Sequence, residues 1–192
     1  MRLAAFDTDR LPADESALVE QAQRGDRQAF GVLIERYWDR LYRWLYHLGH
    51  NRHAAEDLTQ EAFLKAFAKL ASFRPGTNFR AWLFRIAYNT FLNQQRMDGR
   101  SQPLVPERVP APQIGPEDQA LAQETLRLLA RALGRLPNEF RAALLLRVEE
   151  GLSFRQIAGV LKITEETARW RVFKARKKLL EVMAPQLDLE NP

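Results

Sequence analysis

Between Gly99 and Pro116 stand Pro103, Pro106, Pro110, Pro112 and Pro116, half of the ten prolines in a chain of 192 residues. Each locks φ and removes a backbone donor, so no helix or inner strand can run through this segment. The segment is also too poor in apolar residues to build a core, and extended, partly polyproline structure is expected. The chain must therefore fold as two blocks. Boundaries fall at about residues 15–98 and 117–184, with a flexible tether over 99–116. The overall apolar fraction of 46% is ample to give each block a core.

Both blocks read as helical, and no strand pattern or internal repeat interrupts them; the predicted class is all-α. In the first block a short helix covers Ser16 to Arg24 and ends at Gly25. Asp26 caps a long second helix to Leu48, with Phe30, Leu33, Ile34, Tyr37, Trp38, Leu41, Leu45 and Leu48 in helical spacing. Asn51 caps a third, to about Leu70, and a fourth runs from about Asn78 to Met97. In the second block a helix is expected from Glu117 to Leu136. Pro137 opens the next, and Gly151 ends it. Residues 1–14 and 185–192 read as tails.

The run from Ser153 to Lys178, SFRQIAGVLKITEETARWRVFKARKK, then reads as a helix, a tight turn and a longer basic helix. Ser153 and Gln156 form a capping box, small Ala158 permits a close helix crossing, and Thr164 suits the second N-cap. Lys162 occupies a turn position where glycine is the commoner choice, because positive φ is mildly unfavourable for a side chain. Ala168, Val172, Ala175 and Leu179 make one narrow apolar stripe, while Glu166, Trp170, Phe173, Lys174 and Lys177 lie opposite, flanked by Thr167 and Arg169. The run holds eight Lys and Arg against two Glu, an excess of +6 in a chain whose net charge is +5. Positive charge so concentrated around exposed rings is the pattern of a helix-turn-helix that enters a DNA groove.

The first block carries two further patterns. Ala54 to Phe67 is amphipathic, with Asp57, Gln60 and Glu61 on one polar side, which suits either a solvated acidic face or a protein-docking face. Phe73 to Asn89 interleaves Phe73, Phe79, Trp82, Phe84 and Tyr88 with Arg74, Arg80 and Arg85 around a Pro75-Gly76 loop. Such rings serve equally as core or as stacking platforms for unpaired bases, and Asn89 has the amide to read a base edge. Spacing alone leaves both open.

Other chemistries find little support. The chain has no cysteine, which removes disulfides and thiolate metal sites and suits a reducing cytoplasm. The acid-bearing N-terminus does not read as a signal peptide, and apolar runs such as Ala142 to Leu146 are too short to span a bilayer, so no membrane segment is expected. His47, His50 and His53 recur every third residue, but Gly49 and Asn51 break the helix and no carboxylate completes a ligand set, so no metal is expected; the histidines read as dipole partners of a helix C-terminus. No phosphate loop, nucleophile or acid–base pair points to a catalytic residue or a cofactor.

With both blocks laid out, the chain resembles a bacterial RNA polymerase sigma factor of the extracytoplasmic-function (ECF) type. The resemblance spans Leu18 to Leu180 and rests on five ordered motifs: AQRGDRQAF (Ala22 to Phe30), AEDLTQEAFLKAF (Ala55 to Phe67), SFRPGTNFRAWLFRIAYN (Ser72 to Asn89), LPNEFRAALLLRVEEGLSFRQIA (Leu136 to Ala158) and TARWRVFKAR (Thr167 to Arg176). It implies two helical domains and no catalytic site. It implies docking on core polymerase, with Asp57, Gln60 and Glu61 on the clamp coiled coil of the largest subunit and the second block near the flap of the second-largest. It further implies that Phe73, Asn78, Phe79, Arg80, Trp82, Arg85 and Asn89 read and open the −10 element, with one base flipped into a pocket. Arg147, Thr167, Arg169, Trp170, Arg171, Phe173 and Lys174 match positions that touch the −35 duplex. An anti-sigma partner is implied as well. Trp170 departs from the small polar residue common at its position. Asn93 to Arg96 departs from the family's denser basic run.

Overall fold

The computed structural model describes residues 13–97 and 128–187. The tether over 99–116 and the beginning of the helix expected from Glu117 lie outside them. The described residues are all-α. In the first block α1 is Ala13–Gln23, α2 Arg27–Gly49, α3 Arg52–Lys69 and α4 Phe79–Met97, with a 3-10 turn Leu70–Ser72 after α3. In the second block α5 covers residues 128–134, followed by α6 Asn138–Val148, α7 Phe154–Leu161 and α8 Glu165–Leu187. Helix α8 thus continues past 184, where a tail was expected.

Local capping explains where these helices begin and end. The Asp26 carboxylate accepts from Gln28 and Ala29 N–H, and the Asn51 side chain accepts from Ala54 N–H. Helix α1 stops at Gly25, whose φ of 98° lets Asp26 N–H reach back to the Gln21 carbonyl. Pro137 stands at the N-cap of α6 rather than inside its first turn, and its carbonyl receives Arg141 N–H.

Helix α2 is the axis of the first block. Leu33, Tyr37, Leu41, Trp44, Leu45 and Leu48 are all buried along it, against Leu58, Ala62 and Ala66 of α3 and Leu83, Phe84 and Ala87 of α4. Trp44 leans on the rings of Phe84 and Tyr88. The apolar core then continues into the second block through Leu145, Leu146, Leu152, Ile157, Ala168, Val172 and Ala175. The two blocks pack on each other. Arg40 of α2 meets buried Glu150 at 2.9 Å, and the Arg80 guanidinium donates to the Glu150 carbonyl. Trp44 Nε1 lies 3.5 Å from the Ala142 carbonyl.

The histidines at the end of α2 sit differently from the dipole partners expected. Burial, reinforced by His50 and by the cations Arg141 and Arg43, pushes His47 down to about 4, and burial beside Arg141 also lowers His50. Both are neutral in the fold near pH 7, so neither supplies a charge to the helix end. A base held below its unfolded value of about 6.5 leaves stability intact above that pH and withdraws it as pH falls toward 4. By pH ~5 the loss from His47 should reach about 2 kcal/mol. Urea unfolding at neutral and mildly acid pH checks this: His47→Leu should flatten the dependence, and an unchanged slope would refute it.

Candidate nucleic-acid interface

The loop before α4 is built as a turn over Arg74, Pro75, Gly76 and Thr77. Pro75 and Gly76, the latter at φ 79°, suit its two central positions, and Thr77 N–H and Oγ1 both donate to the Arg74 carbonyl. Gln23 of α1 fastens it, its amide donating to the Leu70 and Phe73 carbonyls at 2.9 and 2.8 Å. The Asn78 side chain then caps α4 by accepting from Ala81 N–H at 2.9 Å.

Two rings expected to stack on bases are core residues instead. Phe73 is 3% exposed and Phe79 wholly buried, and they meet each other and Trp82 at 5.1–5.6 Å between centroids. The apolar gain from enclosing two phenyl rings outweighs leaving them in water. They anchor the loop and, enclosed in this way, are not open to stack on a base. Trp82 remains half-buried at the edge of this cluster.

Asn78, Trp82, Arg85 and Asn89 recur at i, i+4, i+7 and i+11, so α4 and its Asn78 cap align them in one stripe away from the buried face of Leu83, Ile86, Ala87 and Thr90. Arg80 lies on the other side and is spent on the contact to Glu150. The first part of the stripe borders an open groove of about 390 Å³ whose far wall is Arg155, Gln156, Gly159 and Val160 of α7.

On α3, Asp57, Gln60 and Glu61 are exposed together, Glu61 paired with Lys65 at 2.6 Å. Leu64 and Phe67 extend this face at 70% and 50% exposure, the Phe67 ring resting on Phe30. The buried stripe of α3 runs through Leu58, Ala62, Phe63 and Ala66 and leaves Phe67 outside it.

In the second block the capping box is formed: Ser153 Oγ accepts from Gln156 N–H while Gln156 Oε1 accepts from Ser153 N–H. Lys162 adopts the left-handed turn conformation, φ 56° and ψ 49°, and Ile163 N–H reaches back to the Ala158 carbonyl. Thr164 Oγ1 accepts from Thr167 N–H and caps α8. Ala168, Val172 and Ala175 are buried, so α8 turns its other side outward, with Trp170 50% and Phe173 63% exposed.

The candidate contacts split between the flanks of α8, since residues two apart lie about 200° apart around a helix. On one flank Arg169 stands over the Phe154 ring, with Arg147 of α6 over the same ring. Trp170 sits edge-on to Phe140 at 5.3 Å, and Lys178 lies over that ring. Arg171 faces the first block, near enough to Tyr88 to favour its ionised form, although burial still raises that hydroxyl overall. Lys174 and Thr167 are half-buried beside these residues.

The first block thus carries a capped loop and a polar stripe, and the second a basic helix-turn-helix. Residues 33–101 match the family model for sigma-70 region 2, and residues 126–179 match that for sigma-70 region 4. The chain belongs to the RNA polymerase sigma factors, and within them to the ECF type. It is 41% identical over 171 residues to the ECF RNA polymerase sigma factor SigE of Mycolicibacterium smegmatis, covering 83% of this chain and 65% of that one. It is 33% identical to the RNA polymerase sigma-H factor of Pseudomonas aeruginosa, over 90% of this chain and 95% of the relative. Among solved structures it resembles the sigma factor RpoE of Bartonella quintana, crystallised with the anti-sigma factor NepR (TM-score 0.67, 29% identity, 81% of this chain and 96% of that one). It also resembles CnrH in complex with the cytosolic domain of CnrY (TM-score 0.65, 28% identity, 93% and 99%). Among the described residues no helix is long and apolar enough to cross a membrane, and no three His, Asp or Glu gather to hold a metal.

Proposed function

We propose that this chain docks on core RNA polymerase and directs initiation to its promoters by gripping DNA in two states. The second block takes the −35 element as duplex through Arg147, Thr167, Arg169, Trp170, Phe173 and Lys174. The first block takes the parted −10 strand through Asn78, Trp82, Arg85 and Asn89. Polymerase supplies the chemistry; this chain supplies the choice of site. The observation that carries the reading is the alignment of those four residues in one stripe of α4, on a different block from the basic face of α8.

Core docking falls to the α3 face of Asp57, Gln60 and Glu61, against the clamp coiled coil, with the second block near the flap. Arg80 and Arg171 face the other block in this arrangement, and part of the α4 stripe borders the groove against α7. Promoter binding therefore requires the blocks to part, which frees both arginines for phosphates. The Bartonella quintana sigma factor crystallised with the anti-sigma factor NepR supports such a partner here, one that keeps the blocks from opening onto DNA.

In vitro transcription with purified core polymerase and a promoter library tests the reading; no change in start sites on adding the chain would remove it. Asn89→Ala gives the finer test. Strand opening, followed by permanganate reactivity of unpaired thymines, should fall roughly tenfold while initial duplex binding changes little. Equal loss in both would contradict the role of Asn89.

A further inference from the structure

We propose that Phe154 is a positioning residue for the duplex grip, one ring that holds Arg147 and Arg169 in register toward the phosphates. The inference rests on the reading of the second block as the −35 duplex binder. Three helices converge on this ring. Phe154 is the first residue of α7, fixed there by the Ser153–Gln156 capping box. Arg147, in the last turn of α6, places its guanidinium carbon 4.9 Å from the ring centroid. Arg169 of α8 places its own at 4.8 Å. The two cations therefore lie no more than about 10 Å apart.

The ring's negative face attracts both cations and draws them to one place. Backbone and helix neighbours complete the arrangement. Arg147 Nη1 donates to the Leu152 carbonyl at 2.8 Å, and Arg169 Nη2 donates to Glu165 at 3.0 Å. A long, flexible cation normally loses rotamer freedom when it grips a phosphate. Here that ordering is already present before DNA arrives, and the uncharged Phe154 ring is the one contact common to both cations among the bonds given above. Phe154 belongs to no DNA contact by itself. It acts through Arg147 and Arg169.

The test uses the full chain and a short mixed-sequence duplex, with affinity measured across a salt series. Phe154→Leu should weaken binding roughly tenfold, while Phe154→Tyr, which keeps the ring, should bind like the parent. Arg169→Ala should cost less in the Phe154→Leu background than in the parent, because the ring acts through that arginine. Should Phe154→Leu fail to fold, Arg147→Lys with Arg169→Lys keeps both charges and loses the flat faces; the same tenfold loss is expected. Parent-like binding by either replacement, or strictly additive losses, would overturn the positioning role and leave the duplex reading intact. A parent chain that binds no duplex would remove that reading and this inference with it.

Discussion

Arg169→Glu together with Lys174→Glu is expected to lower duplex affinity on the order of 100-fold at physiological salt while leaving the fold intact. Each phosphate neutralised by a cation releases a counterion, and at ~0.1–0.15 M salt one such contact is worth roughly five- to eightfold in affinity. Loss of two contacts accounts for about 30- to 60-fold, and the two introduced carboxylates add repulsion of the same phosphates. The slope of affinity against salt should drop by about two contacts, which separates an electrostatic loss from a damaged protein. Stability should barely move. Arg169 is 62% exposed and its pair with Glu165 is a surface i,i+4 contact, worth well under ~1 kcal/mol. Core association, proposed above to run through α3, should also survive, because Asp57, Gln60 and Glu61 belong to the other block. A double variant with normal duplex affinity and slope would refute this placement of the −35 grip.

What was legible in the sequence was local. Asp26, Asn51, Ser153 with Gln156, Thr164 and the turn at Lys162 act within four residues, so chain order alone carries them, and each cap is formed. The stripe of Ala168, Val172 and Ala175 was legible for the same reason, since one helix period decides it. Phe73 and Phe79 were not. Aromatics beside a Pro-Gly turn suit a stacking platform and a core anchor alike, and only the tertiary neighbours decide. Gln23, about fifty residues upstream, fastens the loop with its amide, and the Trp82 ring closes over both phenyls. Helix periodicity also expects charges to face water, so nothing in it marks Glu150 as the buried partner of Arg40, a contact spanning 110 residues. Long-range pairing of this kind leaves no trace in a single chain's pattern.

Arg141 is the strongest instance, and Arg141→Met should reduce the unfolding free energy by about 3 kcal/mol. Arg141 is 2% exposed and has no carboxylate partner among the described residues; instead its fork reaches the ends of two helices. Nη1 donates to the Leu133 and Gly134 carbonyls at 3.1 and 3.2 Å, where α5 ends, and Nη2 reaches the Leu48 carbonyl at 3.5 Å, near the end of α2, as well as the Asn138 side chain. Carbonyls at a helix C-terminus lack intrahelical donors and carry the negative end of the dipole, so a cation is the fitting cap for both. Burial exacts a cost, pushing this guanidinium down to about 10, and methionine would remove that cost. Yet the acceptors are backbone and stay behind. A buried carbonyl without a donor loses about 1–3 kcal/mol, so several orphaned together outweigh the relief. Lysine should fare little better, since a point charge cannot fork between two helix ends. A second readout is independent of stability. Arg141 is one of the charges that hold His47 and His50 below their ordinary value, so in Arg141→Met both imidazoles should titrate at higher pH by NMR. Unfolding within about 0.5 kcal/mol of the parent, a difference typical of neutral surface changes, would refute the capping role. Unmoved histidines would place the guanidinium away from the end of α2, and the bridge between the two blocks would lose its central charge.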